Sequence, residues 1–385
     1  MARPSYRTAE LEEFRAAFRA FVDAEVAPHV GEWERCGELP RSFWRAMGRY
    51  GYLCPWLDEC FGGTAAPFGY SVVICEELGR AAMGVQTAVS VHSDIAAPYL
   101  ARYARDDLKR RWLPGCASGE LVTAIAMTEP GAGSDLAAIR TVAERRGDEY
   151  ILRGQKTFIT NGMSCDLVVV AAKTDPKAEP PHAGISLLAV ESDSAGFVKS
   201  RKLEKMGQRC GDTAELFFDD CRVPGAHLLG EEGAGFRYLM ENLQRERLMI
   251  AIAAQAAAEQ ILEKTLRYVR ERRVFGRPVG AHQHNAFKLA ERATEVEIGR
   301  AFVDAVIDEF IAGEDVTRHV SMAKWWTSDL ANRVAYDAVQ LHGGYGYMAE
   351  VPVARDYVDV RAIPIYAGSN EVMKLILARI LGLAD

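Results

Sequence analysis

The sequence predicts an α+β protein of three domains: an all-α domain over residues 1–122, a small all-β domain over 123–232, and an all-α domain similar to a four-helix bundle over 233–385. Two changes of hydrophobic period predict this order. The helical period gives way to the period of strands near Leu121, and it returns near Phe236. Segments of different secondary structure form separate domains. The chain has 385 residues, 49% of them hydrophobic, which is enough for several cores.

The N-terminal segment carries apolar residues at helical spacing. Leu11, Phe14 and Phe18 form one such stripe. Further helices are predicted over 70–82, 91–104 and 106–112. Pro114 and Gly115 predict the end of the last of these helices, because both residues interrupt helical patterns.

The middle segment consists of short runs rich in Val, Ile, Leu and Phe, separated by turns. Such runs predict strands, and several of them in sequence predict a sandwich or a barrel. A polar stretch over 143–149 is interpreted as a connection between strands. The predicted strands cover residues 122–127, 150–152, 157–160, 167–172, 185–190 and 214–218.

The C-terminal segment is helical again. One long helix is predicted from Phe236 toward Arg273, and Gly276 and Pro278 end it. The other predicted helices cover 283–311, 316–341 and 372–381.

Composition excludes several classes of function. A net charge of −7 and a pI near 5.7 argue against nucleic acid as the main partner. No apolar run approaches the length of a membrane span, and early acidic residues argue against a targeting peptide. The eight cysteines lack CxxC spacing and are interpreted as reduced packing residues, while the two histidines His282 and His284 lack companions for a metal. We expect a soluble cytoplasmic protein without a metal.

The stretch 123–162 carries the first chemical signal. Two predicted strands end in Thr128 and Thr160, and a stiff loop over 129–135 follows the first of them. Proline fixes φ, glycine frees it, and Ser and Asp bond to the backbone, so the loop exposes N–H and hydroxyl groups. This arrangement suits a planar polar ring that needs several donors. A tight turn without a ligand is the alternative.

Two further stretches favour a phosphate-containing ligand. Four arginines lie within 270–277, beside a Gly-Pro turn at a helix end. Guanidinium groups bind phosphate through paired hydrogen bonds, although a solvated basic helix terminus is the alternative. The second stretch, 340–347, contains Gln340 and the adjacent glycines Gly343 and Gly344. Adjacent glycines let a ligand approach the backbone, and a helix C-cap is the alternative.

Together with Tyr-Ala-Gly-Ser-Asn-Glu over 366–371, these stretches resemble the acyl-CoA dehydrogenase family of flavoproteins, over essentially the whole chain. The resemblance implies FAD as the cofactor. It places Met127, Thr128, Gly133, Ser134, Phe158 and Thr160 at the flavin, and Arg272, Phe275, Gln283, Gln340, Gly343, Gly344, Ser369 and Glu371 at the ADP half. In the family, the arginine and the aromatic residue of this ADP site come from one subunit, and the Gln-x-x-Gly-Gly segment comes from its neighbour. The resemblance therefore implies a homo-oligomer, most simply a homotetramer built as a dimer of dimers.

The chain departs from the family at one position. Many members carry their catalytic base as Glu directly after the tyrosine of the last motif, whereas this chain has Ala367 there. Glu246 lies within an apolar stripe on the first C-terminal helix, where a carboxylate is costly unless it is paired or functional. The long-chain and isovaleryl types resemble this chain in carrying the base at that helix position. A buried ion pair with Arg245 or Arg247 is the alternative.

The resemblance implies an FAD-dependent acyl thioester dehydrogenase that converts a saturated acyl-CoA to a trans-2-enoyl-CoA. Glu246 is the implied base, with a carboxyl pKa raised by burial. The implied substrate-binding residues are Ser134, Arg247, Tyr366 and Ala367. An electron-transfer flavoprotein is the implied electron acceptor. Three alternatives stay open: the same chemistry on an acyl carrier protein, a non-catalytic protein that binds flavin or an acyl thioester, and a flavin oxidase or monooxygenase on the same fold.

Overall fold

The helices and strands follow each other in the predicted order. The computed structural model describes residues 4–384. Helices fill its N-terminal part, one sheet its middle and helices its C-terminal part, so the three-domain α+β fold predicted from the sequence is confirmed. Within the described residues, no helix combines the length and the apolar character that crossing a membrane requires.

Seven α-helices form the N-terminal part. A π-helical segment, Val91–Ala96, separates the fifth from the sixth, within the single helix predicted over 91–104. The prediction that Pro114 ends the last helix is wrong, because residues on both sides of it are buried and the helix continues to Gly119, at φ +76°. The helices are α1 (Ala9–Glu25), α2 (Val30–Cys36), α3 (Arg41–Arg49), α4 (Phe68–Ala81), α5 (Met83–Ser90), α6 (Ala97–Tyr103) and α7 (Asp106–Ser118).

Eight strands form the middle part as one mainly antiparallel sheet. Their order is β6-β7-β3-β2-β4-β5-β8, and β1 pairs in parallel with β4. The strands are β1 (Thr123–Ala126), β2 (Val142–Arg146), β3 (Glu149–Thr160), β4 (Leu167–Lys173), β5 (Ile185–Glu191), β6 (Phe197–Lys202), β7 (Thr213–Pro224) and β8 (Leu228–Leu229).

The central strands β4 and β5 are apolar on both faces. Val168 and Val170 of β4 point into the core of the sheet, whereas Leu167 and Val169 pack against N-terminal helices that include Trp112. Continuous apolar runs are typical of strands covered on both sides. This packing fixes the sheet against the helices that carry part of the site.

Two strand predictions were wrong. The polar stretch interpreted as a connection contains strand β2, in which Ala143 is buried while Glu144 and Arg146 are exposed, so it is a half-buried strand rather than a loop. The two short strands predicted over 150–160 are one strand, β3, with irregular pairing between Lys156 and Ile159. Cross-strand charge pairs such as Arg153 with Glu144 stabilise the exposed face.

The C-terminal part contains five helices and a small hairpin. The long helix begins and ends close to the predicted positions, and the predicted bounds of the next helix agree with the structure. The fourth helix was not predicted. The helices are α8 (Gly235–Glu271), α9 (Gln283–Ile311), α10 (Thr317–His342), α11 (Pro352–Val360) and α12 (Asn370–Ile380), and the hairpin strands are β9 (Arg273–Val274) and β10 (Arg277–Pro278).

Candidate active site

Glu246 lies on the buried face of α8. Only 3% of the residue is exposed, and the hydroxyl of Tyr99, a fully buried residue on α6, donates a hydrogen bond of 2.8 Å to its Oε1. Burial raises the pKa of the Glu246 carboxyl to about 7, against the opposing effects of the Tyr99 hydrogen bond and the Arg247 charge. A buried carboxylate whose pKa lies near 7 can accept a proton at physiological pH.

The two arginines beside Glu246 have other surroundings. Arg245 pairs with the buried Asp94 at 2.7 Å. The Nε of Arg247 is buried and has no hydrogen-bond partner among the described residues. Among the described residues, neither Arg245 nor Arg247 forms an ion pair with Glu246. The alternative interpretation of Glu246 as half of a buried ion pair is therefore not supported.

The turn over 366–369 lies next to Arg247. Ala367 and Gly368 both have positive φ, +52° and +84°. A Cβ built on Gly368 would lie 3.5 Å from Arg247 Nη2. Across residues 4–384, no group accepts a hydrogen bond from the Ala367 N–H. The structure thus brings Arg247 of α8 against the last sequence motif, where the Ala367 N–H has no partner among the described residues.

Tyr366 anchors the start of this turn. It is half-buried against the C-terminal core, and its hydroxyl contacts the side chains of Gln208 and Thr87. Burial raises the pKa of the Tyr366 phenol to about 12, so the hydroxyl stays protonated at neutral pH. Gln208 in turn is bonded to the buried Asp359 through its backbone N–H and its side chain.

A buried ion pair fixes the loop after β1. Lys156 Nζ donates to Glu129 Oε1 at 2.9 Å and to the Met127 carbonyl at 2.9 Å. The Glu129 carboxylate also accepts the backbone N–H groups of Arg140 and Thr141. Burial lowers the pKa of the Lys156 ammonium to about 8, and the Glu129 carboxylate opposes this shift. Both ends of the loop 129–141 are therefore held at one place.

This ion pair lies between the two strand ends that carry the first group of predicted residues. The Thr157 N–H donates to the Thr128 carbonyl at 2.9 Å, which joins β3 to the end of β1. Phe158 follows at φ +59°, at the irregular pairing of β3 and β7, and 69% of it is exposed. Thr160 is half-buried, whereas Gly133 and Ser134 are exposed in the loop. Strained backbone that presents an exposed aromatic ring is typical of functional positions.

The second group meets at a groove between the end of α8 and the end of α10. The groove has a volume of about 610 Å³, and its lining includes Arg272, Gln340, Gly343 and Gly344. The Arg272 guanidinium lies 5.6 Å from the ring centre of Tyr345. Phe275 and Gln283 do not line this groove. They lie on the neighbouring hairpin and at the first turn of α9, both exposed.

The remaining predicted residues lie at the start of α12. Ser369 is the N-cap and accepts the Val372 N–H. Glu371 is exposed in the first turn, and hydrogen bonds from its own N–H and from Ser369 lower the pKa of its carboxyl. An acidic residue in a first turn is favourable beside the helix dipole, so both residues also have a structural explanation.

Models of three consecutive domains of one family match this chain. The acyl-CoA dehydrogenase N-terminal domain matches residues 8–120, the middle domain 124–221 and the C-terminal domain 233–382. The chain belongs to the acyl-CoA dehydrogenase family. Members of this family are flavin-dependent oxidoreductases.

Individual proteins agree with this assignment. The long-chain specific acyl-CoA dehydrogenase, mitochondrial, of Sus scrofa is 46% identical over 97% of this chain and 86% of the relative. The crystal structure of an acyl-CoA dehydrogenase from Geobacillus kaustophilus is 56% identical, with a TM-score of 0.97 over 98% of this chain and 100% of the other. A glutaryl-CoA dehydrogenase from Mycobacterium smegmatis, solved in complex with FADH2, is 28% identical, with a TM-score of 0.91 over 98% of this chain and 95% of the other.

The groove of this acyl-CoA dehydrogenase family member fits a nucleotide. Gly343 has φ +61°, and a Cβ built on it or on Gly344 would meet no atom within 4 Å. The backbone there is open to a ligand that a side chain would displace. Arg272 supplies a cation and Gln340 a donor and an acceptor at the same groove. These residues therefore fit the ADP half of FAD.

Sequence reasoning missed the partners of the predicted residues. Tyr99, Glu129, Lys156 and Lys324 all contact the site or its supports. Of these residues, only Lys156 could have been suspected from the sequence, because it is a charged residue two positions before Phe158 in the same strand. Tyr99 and Lys324 gave no signal, because their partners lie far away in the chain.

Proposed function

We propose that this protein is an FAD-dependent acyl-CoA dehydrogenase in which Glu246 removes the α-proton of a saturated acyl-CoA to give the trans-2-enoyl-CoA. One observation carries the proposal: the only hydrogen bond to the Glu246 carboxylate within the described residues is that of Tyr99, and burial raises its pKa to about 7. A desolvated carboxylate without an ion-pair partner is a stronger base than an exposed one. The family membership supplies the substrate class.

The turn over 366–369 supplies the second part of the mechanism. In the proposal, the Ala367 N–H donates to the thioester carbonyl oxygen, which stabilises the negative charge that develops there. Glu246 accepts the α-proton as this charge forms. Arg247, whose Nε is buried and unpartnered, lies beside the turn and adds positive potential. Bound FAD supplies the acceptor for the β-hydride at its N5 atom.

The predicted cofactor residues stay part of the proposal. Thr128, Phe158 and Thr160 would hold the flavin at the ends of β1 and β3, with Met127, Gly133 and Ser134 beside them. Arg272, Gln340, Gly343 and Gly344 would hold the ADP half in the groove. Ser369 and Glu371 do not line that groove, because they flank Asn370, which contacts Lys324 at the opposite end of α10. They would meet an ADP half only across a subunit interface. Phe275 is 95% exposed at a hairpin tip with φ +48°, which supports a contact outside its own subunit. We therefore propose that Phe275 and Gln283 reach the FAD of a neighbouring subunit in a homotetramer.

Three wider expectations also stay proposals. An electron-transfer flavoprotein would reoxidise the reduced flavin. The cytoplasmic location rests on sequence alone, and the Sus scrofa relative is named as mitochondrial. We keep the domain divisions after residues 122 and 232 as a proposal, which the changes between helix and strand at Ser118 to Thr123 and at Leu229 to Gly235 support.

The test is anaerobic reduction of the protein-bound flavin by a panel of acyl-CoAs, from short to long chains, with the matching acyl carrier protein thioesters in parallel. We expect the flavin absorbance to bleach rapidly with at least one acyl-CoA and the enoyl-CoA product to form in equal amount. Bleaching with carrier-protein thioesters alone would replace the substrate in the proposal. A flavin that no thioester reduces would contradict the proposed function.

A further inference from the structure

Lys324 is a fully buried cation two turns into α10. Its Nζ donates to the Gly368 carbonyl at 2.7 Å and to Asn370 Oδ1 at 3.2 Å. Within residues 4–384 it forms no ion pair with a carboxylate. Burying an ammonium without such a partner is costly. Burial and the Arg247 charge lower the pKa of the Lys324 ammonium to about 8.

The second acceptor of Lys324 is itself fixed. Asn370 Oδ1 also accepts the Ser328 hydroxyl at 3.0 Å, and its amide donates to Asp329 Oδ1 at 2.8 Å. Because the Asp329 carboxylate can only accept a hydrogen bond, it orients the Asn370 amide with its oxygen toward Lys324 independently of Ser328. The ammonium therefore has a defined position relative to the Gly368 carbonyl.

Gly368 lies beside two cations. Lys324 contacts its carbonyl oxygen, and a Cβ built on Gly368 would lie 2.8 Å from Met373 Cε and 3.5 Å from Arg247 Nη2. The preceding Ala367 has φ +52°, a conformation that alanine avoids. Strained backbone persists only where the surroundings hold it. The hydrogen bond from Lys324 is a direct contact that holds this turn.

We propose that Lys324 is a positioning residue: by holding the Gly368 carbonyl it keeps the Ala367 N–H directed at the carbonyl oxygen of a bound acyl thioester. The inference rests on the proposed function. With Arg247, Lys324 also provides a fixed positive potential where the thioester oxygen gains negative charge, and such preorganised groups stabilise that charge. Lys324 does not touch the substrate in this account.

The experiment uses the holoenzyme and 4-dimethylaminocinnamoyl-CoA, a thioester that absorbs at longer wavelength as its carbonyl is polarised. We expect wild type to shift this absorbance band on binding, and Lys324→Met to lose most of the shift while still binding the ligand. The rate of flavin reduction by the preferred acyl-CoA should fall by about 10-fold to 100-fold in Lys324→Met, less than the loss of a direct oxyanion donor. KM should change far less than kcat.

Ser328→Ala is the matched control. It removes a buried hydrogen bond to Asn370 from the same helix but leaves the contact with Gly368. We expect it to keep the absorbance shift and the rate, with a small loss of thermal stability. If Lys324→Met does not fold, Lys324→Gln keeps a neutral donor at the site and should show a smaller loss of shift.

Three outcomes would overturn the inference. One is a full shift in Lys324→Met. Another is an equal loss of shift and of stability in Lys324→Met and Ser328→Ala, which would make Lys324 a structural residue of the α10–α12 contact. The third is a wild type that binds the ligand without any shift. Failure of the proposed function is distinct from these, since it appears as a wild-type flavin that no acyl-CoA bleaches.

Discussion

Residues 246 and 367 are the two places where a catalytic base occurs in the family that this chain resembles, and their surroundings differ. At 246 a helix presents a carboxylate to a dry environment, where burial raises its pKa to about 7. At 367 the residue is alanine. It lies in a strained turn, and its backbone N–H has no hydrogen-bond partner among the described residues. The comparison teaches that proton removal and carbonyl polarisation are separable tasks. In the proposed mechanism, Glu246 on a helix serves the first task, and the turn held by Lys324 serves the second.

The largest expected effect comes from removing the carboxylate. Glu246→Gln keeps the size of the side chain and an acceptor for Tyr99, so we expect the fold to persist and flavin reduction to slow by about 1,000-fold or more, since a positioned base contributes 10²-fold to 10⁴-fold. Anaerobic stopped-flow absorbance measures the rate. Glu241→Gln is the control on the same helix, because Glu241 is partly exposed and bonded to Tyr103; it should keep nearly full activity.

A second variant moves the carboxylate from position 246 to position 367. Because Arg247 lies beside Gly368, position 367 borders the same site. In the Glu246→Gln background, we expect Ala367→Glu to restore reduction about 10-fold to 100-fold, short of wild type because the new side chain lacks the Tyr99 hydrogen bond. The same stopped-flow assay checks this. No gain at any pH would mean that the two positions do not serve one proton.

The Tyr99 hydroxyl should tune the base. Its hydrogen bond opposes the rise that burial causes in the pKa of Glu246, so Tyr99→Phe should raise that pKa further. Since the base must be ionised, kcat/KM rises with pH through this pKa, and the acidic limb should move to higher pH by up to about one unit. A pH profile of kcat/KM measures the shift. A limb that moves to lower pH would contradict the assignment.

The smallest effect concerns stability. The pKa of Glu246 is about 7 in the folded protein and 4.5 as an ordinary carboxyl, so the folded state holds its proton more tightly and stability falls as pH rises between these values. Glu246→Gln removes this cost. The variant should gain up to about 3 kcal/mol over wild type above pH 7, or a few degrees in Tm, and much less near pH 5. Thermal melts at both pH values check it.

The sequence predicted the order of domains and the burial of Glu246, because both depend on local hydrophobic period. It did not predict strand β2, since a half-exposed strand with charged residues resembles a loop. It also did not predict that α7 continues past Pro114, because tertiary packing there outweighs the low helix propensity of proline. The hydrogen bond between Tyr99 and Glu246 joins residues 147 positions apart. Lys324 and Gly368 are likewise joined only by the packing of separate elements, and such contacts leave no periodic pattern.

The central claim is tested most directly with a thioester that has sulfur in place of its β-carbon. The measurement is the exchange of its α-protons. Such a ligand has no β-hydride to transfer, so exchange with D2O, followed by mass spectrometry, reports the base alone. We predict exchange in wild type and in Glu241→Gln, and none above background in Glu246→Gln. Equal exchange in Glu246→Gln and wild type would contradict the assignment of Glu246 as the base.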